Sequence, residues 1–248
     1  MRHYLFFRII FLAVLFVKEQ LKEPVALFWT VISPVVTYYL IQYSRGAIIG
    51  ASVDYVSSTS WFYAYVSSSV AMFGLAFYII GRRESGFLRS FVYKRQGKVI
   101  FLLGQFFAYS VVAILYCSVF YILTRSFSGS LSGSSEYLIV VVRFYICFLL
   151  FSIPSLLLTL IPLGFQNAST VFSVLSLAML GFGVVGIGSP SPLLMVVNYF
   201  NPMWWANKIM LVGVLELWIV FLVVVVFLVI SFLLMFRFLI IGPVWSRY

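Results

Sequence analysis

The chain has 248 residues, 64% of them hydrophobic and 20% aromatic but only 9% charged, with a mean hydropathy of +1.13. So much apolar surface cannot be kept from water in a soluble globule, so composition excludes that class and specifies a polytopic membrane protein. The net charge of +10 does not point to nucleic acid, because the basic residues stand at the ends of apolar segments and form no polar domain of their own; this is the positive-inside pattern.

The first element, 1–23, resembles a signal peptide, with Arg2 and Arg8 before the apolar stretch 9–17. Lys18 and Glu19 follow at once and no small-residue cleavage site appears, so a retained helix in the membrane interface fits better. Its Arg8, Lys18 and Lys22 approach one side, with Phe7, Ile10, Val14 and Val17 in lipid. About twenty apolar residues cross the hydrocarbon at a rise of about 1.5 Å each. By that measure six spans run over 25–43, 61–81, 99–123, 137–161, 168–187 and 217–236.

Between spans two and three lies the most basic stretch, 82–98, which gathers Arg82, Arg83, Arg89, Lys94, Arg95 and Lys98. Lys and Arg in short loops resist translocation, so this loop is assigned to the cytoplasm together with both termini. Arg2, Arg8, Lys18, Lys22, Arg237 and Arg247 then also fall inside. Arg45, Arg125, Arg143 and Lys208 fall outside or near the outer face. The Ser- and Gly-rich stretch 126–135 reads as a flexible outer loop, and 162–167 as a tight inner turn. The segment 188–216 is apolar but interrupted by Pro190, Pro192 and Pro202, which predicts a re-entrant pair of short helices at the outer leaflet. No repeat or soluble domain is visible, so 1–248 reads as a single transmembrane domain.

Within the spans, Gln166, Ser169, Thr170, Ser173 and Ser176 recur at three- and four-residue steps and mark one helix face as a candidate transport pathway. Leu175 is expected on the opposite, lipid-facing side. Ser67, Ser68, Ala71 and Gly74 form a small-residue strip read as helix packing, as do Gly181, Gly183, Gly186 and Gly188 unless they form a hinge. Tyr38, Tyr39, Tyr43, Trp61, Tyr63 and Tyr65 read as an interfacial aromatic belt. Arg143 lies within snorkelling reach of the outer headgroups, with an anion contact as the alternative. Glu216 is placed to pair with Lys208 or with another segment. Cys117 and Cys147 read as packing residues.

The chemistry-bearing residues are few: Glu19, Glu23, Asp54, Glu84, Glu136 and Glu216 are the acids, and His3 the histidine. They assemble no H-E-x-x-H metal site, no nucleophile with a base and no phosphate loop, so no catalytic or metal site is expected. If ATP drives the protein, a separate polypeptide must bind it.

Several stretches resemble one family. Residues 22–36, KEPVALFWTVISPVV, with Phe28, Trp29 and Pro34, resemble the entry into the first span of bacterial ABC exporter permeases of the type-two class. Glu84-Ser85-Gly86 is similar to the acid and glycine opening that family's cytoplasmic coupling region, and Asn201-Pro202-Met203 to its outer segment. Lys208 stands where many members carry Arg, and Tyr93-Lys94-Arg95 replaces small or Pro residues. The resemblance implies an all-α inner-membrane protein with six spans, an interfacial N-terminal helix, a coupling helix and a re-entrant pair before the last span. It implies two separate ABC ATPase subunits carrying ATP and Mg, a second permease copy or related permease, and contact with membrane lipids. It further implies export of an amphipathic or lipid-linked substrate, whether polysaccharide-lipid, drug or peptide. The residues assigned to coupling are Glu84 and Gly86 at the helix start, with Phe87, Leu88 and Phe91 as an apolar knob in the ATPase cleft. Glu84 caps that helix or pairs with an ATPase cation, whereas Arg82, Arg83, Lys94, Arg95 and Lys98 are weighed toward headgroup anchoring. A secondary transporter or channel is the alternative, disfavoured because no acid stands at a midplane position; a non-transporting scaffold comes third.

Overall fold

Inside a bilayer no water is available to the backbone, so a spanning segment must bond its own N–H and C=O groups, and a helix does this within one segment. The computed structural model describes residues 2–44, 55–92, 95–126, 134–188, 192–212 and 218–243, and the regular structure among them is helical throughout. Six helices are long and apolar enough to cross a membrane: Pro24–Ser44, Tyr55–Glu84, Gln96–Arg125, Ser135–Thr159, Phe165–Gly186 and Trp218–Phe238. This is an all-α, multi-pass membrane fold, with spans in the expected number and order. The serine- and glycine-rich connection and the SPSP sequence lie wholly or largely outside the described residues.

In chain order, α1 (Arg2–Leu21) precedes span one, which consists of α2 (Pro24–Leu27), a π turn (Phe28–Ile32) and α3 (Ser33–Ser44). Span two is α4 (Tyr55–Ser69), a π segment (Val70–Ala76) and α5 (Phe77–Glu84). A short α6 (Phe87–Phe91) leads to α7 (Arg95–Arg125), α8 (Ser134–Thr159) and α9 (Phe165–Gly188). Two short helices, α10 (Pro192–Phe200) and α11 (Pro202–Val212), occupy the segment expected to hold a broken pair, and α12 (Trp218–Phe238) is the last span.

The π turns depart from the uniform helices expected from hydropathy, and the first has a local cause. Pro34 has no N–H to donate to the carbonyl four residues back, and the chain widens immediately before it, with the Ser33 N–H donating to the Phe28 carbonyl. In span two, Gly74 lies within the π segment and its missing side chain makes room for the Tyr109 ring of α7. Tyr109 then donates its hydroxyl to Gln20 Oε1 of α1 at 2.6 Å.

Span two is the hub. Its most apolar window is 72% buried by the protein itself, against 22% for span one, 28% for span five and 22% for span six. Tyr63 sits edge-on to Phe120 of α7 and Phe144 of α8, with ring centroids 4.8 and 6.1 Å apart. Ser67, Ser68, Ala71 and Gly74 are all buried, as a packing strip requires. Tyr63 is also buried among these rings, so it belongs to the core and not to an interfacial belt. Against α7, α1 buries Ile9, Ala13, Phe16 and Gln20, spaced at helical intervals, while Phe7, Ile10 and Val14 stay exposed as expected; Val17 instead packs partly on the core.

At the end of the bundle away from α6, Asn201 joins α10 and α11. Its Oδ1 accepts the Met203 N–H at 3.0 Å, an N-cap followed by proline at the first helical position, and its Nδ2 donates to the Met179 carbonyl of α9 at 2.8 Å. The glycines of α9 serve this junction: a Cβ on Gly186 would overlap the Asn198 amide and one on Gly183 would meet the Trp61 ring, whereas Gly181 faces open space. Gly186→Ala should therefore lower the thermal unfolding temperature in detergent, at a cost of about 1–3 kcal/mol. Gly181→Ala on the same helix should be neutral or stabilising by up to about 1 kcal/mol. Equal effects of the two substitutions would remove close packing as the role of Gly186.

Candidate functional site

The loop after span two is built by a backbone reversal that only its glycine makes easy. The Ser85 N–H donates to the Gly81 carbonyl at 2.9 Å and the Gly86 N–H to the Arg83 carbonyl at 3.1 Å, and Gly86 takes φ +76°, the left-handed conformation that ends a helix. The chain then re-enters helix as α6, whose Phe87 and Phe91 rings stack 5.5 Å apart.

Leu88 points inward with 0% exposure and joins the main core. The expected knob of Phe87, Leu88 and Phe91 is thereby corrected: Leu88 fastens α6 to its own protein, Phe87 packs partly on the same core, and the exposed face is Arg89, Ser90 and Phe91. A five-residue helix has one side to bury, and here that side carries Leu88.

The cations of this loop are also redirected. Arg83, 1% exposed, donates from Nη1 to the carbonyls of Thr159 at 3.0 Å and Ile161 at 3.4 Å, from Nη2 to the Leu163 carbonyl, and from Nε to Glu84 Oε1 at 3.0 Å. Thr159 ends α8, so the guanidinium satisfies carbonyls that the helix leaves without intrahelical donors. Arg82 pairs with Glu19 of α1, bonds Tyr78, and lies over the rings of Tyr78 and Phe87 at 4.7 and 4.9 Å. Lys98 donates to the Phe236 carbonyl at 3.2 Å and the Leu239 carbonyl at 3.5 Å at the end of α12. Arg82, Arg83 and Lys98 thus hold helices together where headgroup anchoring was expected. Lys94 and the side chain of Arg95 lie outside the described residues. Glu84 receives Arg83.

Arg143 is corrected in the same way. Its Nη1 donates to the Met210 carbonyl at 2.7 Å and the Leu211 carbonyl at 3.4 Å, capping α11 in place of the expected headgroup anchor. Lys208 lies over the Trp204 ring at 3.9 Å; its proposed partner Glu216 is outside the described residues.

On α9, Gln166, Thr170 and Ser173 share an exposed face, Ser169 is half-buried, and Ser176 turns into the protein. The hydroxyls are already served: Thr170 donates to the Gln166 carbonyl at 3.3 Å and Ser173 to the Ser169 carbonyl at 2.9 Å. Leu175, expected to face lipid, packs against the core instead.

The sequence reading missed the Arg83, Arg143 and Lys98 caps and the Glu19–Arg82 pair. The available signal was the placement of each cation in or beside an apolar segment, where a lone charge needs a partner.

Compared with known proteins, the chain is 31% identical over 196 residues to "Protein McbE" of Escherichia coli, covering 77% of this chain and 79% of that protein. No family model matches the chain, and no solved structure matches it.

The two sides of α9 generate a contrast. Ser173→Trp should leave expression, monodispersity and thermal stability near normal, because the side chain enters open space. Leu175→Trp should overpack the core and cost about 1–3 kcal/mol, read as a lowered unfolding temperature. The reverse order would show that α9 is rotated from the orientation described.

Proposed function

The chain belongs to the family of Protein McbE of Escherichia coli, and on that footing we propose that it is the transmembrane permease subunit of an ATP-driven ABC exporter. The observation that carries this reading is α6: a one-turn helix in the most basic loop, started by a positive-φ glycine, fixed from behind by Leu88 and presenting Arg89, Ser90 and Phe91 outward. A surface helix with a rigid back and an aromatic, cationic front suits docking into a cleft with an apolar floor and an acidic rim. Two ATPase subunits would supply that cleft together with ATP and Mg, and a second permease copy or related permease would complete the transporter. Closure of the ATPases moves docked helices as rigid bodies and changes which side the cavity opens to. The exposed face of Gln166, Thr170 and Ser173 is the candidate lining, and the substrate class is amphipathic or lipid-linked.

This assignment includes the cytoplasmic membrane as the location, with both termini and α6 inside. Cysteine labelling in intact cells should find Ser90→Cys protected from membrane-impermeant reagent until the membrane is opened, and Ser130→Cys reactive from outside. Labelling of Ser90→Cys from outside would invert the topology.

Purified in mild detergent from its native membranes, the tagged full-length chain should carry vanadate-sensitive ATPase activity. Arg89→Glu and Phe91→Asp should each reduce that activity about tenfold per mole of permease, equivalent to about 1.4 kcal/mol of association, with thermal stability preserved. Wild-type preparations free of such activity, or activity indifferent to both substitutions, would defeat the exporter assignment. Leu88→Asp is unsuited to this test, since it buries an unpaired charge within the chain itself.

A further inference from the structure

Arg83 bonds directly to both the start of the α6 loop and the turn that leads into α9. Its Nε holds Glu84, two residues before the Gly86 reversal, while its two terminal nitrogens hold the carbonyls of Thr159, Ile161 and Leu163. Those carbonyls span the end of α8 and the turn 160–164, after which Phe165 begins α9. We propose that Arg83 is a positioning residue that transmits displacement of α6 into the turn between α8 and α9, and thereby moves the polar face of α9. This rests on the ATPase-driven reading above and adds the path by which the docked helix reaches the candidate lining.

Three features make the connection stiff. Phe165 packs on Phe77 of α5 with ring centroids 4.3 Å apart and approaches Gly81, and Phe172 meets the same Phe77 ring at 6.4 Å. Ala76, Ile80, Ala168 and Phe172 form a buried cluster of their own, so α5 and the first turns of α9 are one packed block. At the other end, Leu88 locks α6 to the core and Arg82 lies over Phe87. Close-packed interiors transmit displacement instead of absorbing it. The loop 84–86 has little slack, because Glu84 is held by Arg83 and the Ser85 and Gly86 N–H groups are bonded to α5.

The chemistry requires arginine. Three carbonyls and one carboxylate surround a single group, and a planar guanidinium offers five donors in a fixed fork, where a lysine ammonium offers three around a point. A side chain serving only as a cap would influence stability alone. A transmitting one also decides whether α9 responds when α6 moves.

The full-length chain, in nanodiscs with its ATPase subunits, would carry a nitroxide at Ser85→Cys beside α6 or at Asn167→Cys on α9, both exposed. Spectra would be compared in ADP and in ATP with vanadate. In the otherwise wild-type chain both reporters should change. In Arg83→Gln the Ser85 reporter should still change while the Asn167 response is lost, and Arg83→Lys should restore it in part. Two glycines inserted between Gly164 and Phe165 leave every Arg83 bond partner in place and should also abolish the Asn167 response, which decides the matter if Arg83→Gln fails to assemble. An undiminished Asn167 response in Arg83→Gln or in the insertion variant would reduce Arg83 to a cap. A silent Asn167 reporter beside a responding Ser85 reporter in the otherwise wild-type chain would overturn the proposed path. A silent Ser85 reporter there would instead count against the ATPase-driven reading beneath it.

Discussion

A helix that ends in apolar surroundings leaves up to four carbonyls without intrahelical donors, and a buried acceptor left unsatisfied costs roughly 1–3 kcal/mol. Three helices of this protein meet that demand with a cation lent by a different helix. Arg83 of α5 serves the end of α8 and the turn beyond it, Arg143 of α8 serves the end of α11, and Lys98 of α7 serves the end of α12. The exchange runs both ways, since each cation would itself be costly to bury without these acceptors. The negative end of the helix dipole strengthens all three contacts. Position after position, the bundle is fixed by a charge from one helix meeting the frayed end of another.

The high basic charge therefore has two physical meanings. On the orientation proposed above, part of it is topological, since Lys and Arg collect on the side that is not translocated. Another part is structural, because Arg82, Arg83, Arg143 and Lys98 are committed to groups of the chain itself. Arg82 and Arg83 show how little separates the two parts. Neighbours on a helix point about 100° apart, so one reaches Glu19 of α1 and the other the end of α8. Arg89, one helix later, reaches neither and stays exposed.

The same residues mark how far the sequence could be read. Span number, order and approximate limits were legible because hydrocarbon thickness sets a length and composition fills it, and the broken segment around Pro202 was legible because proline cannot continue a hydrogen-bond ladder. Orientation of α6 was not, since five residues give less than two turns of pattern. Nothing local distinguishes Leu88 from Phe87 or Phe91 as the side chain the core accepts. The π turns were equally hidden: the one in span two holds Gly74, whose close neighbour is a tyrosine thirty-five positions onward in α7. Polar periodicity on α9 predicted the shared face of Gln166, Thr170 and Ser173 correctly, but failed at Ser176 and Leu175, which the packing of α9 turns inward.

That face also clarifies what the uncovered surface of the protein demands. Spans one, five and six expose valine, leucine and phenylalanine over most of their length, and lipid tails solvate these as well as a protein partner does. Thr170 and Ser173 ask for nothing further, because their donors are spent on carbonyls one turn back. Gln166 is different: its amide has two donors and an acceptor, and it stands one residue into α9, three residues beyond the carbonyl of Leu163 that Arg83 holds. The unmet polar demand of this face is thus concentrated beside the Arg83 clamp and not at mid-span. On the path proposed above, a displacement of the clamped turn therefore acts first on the Gln166 amide.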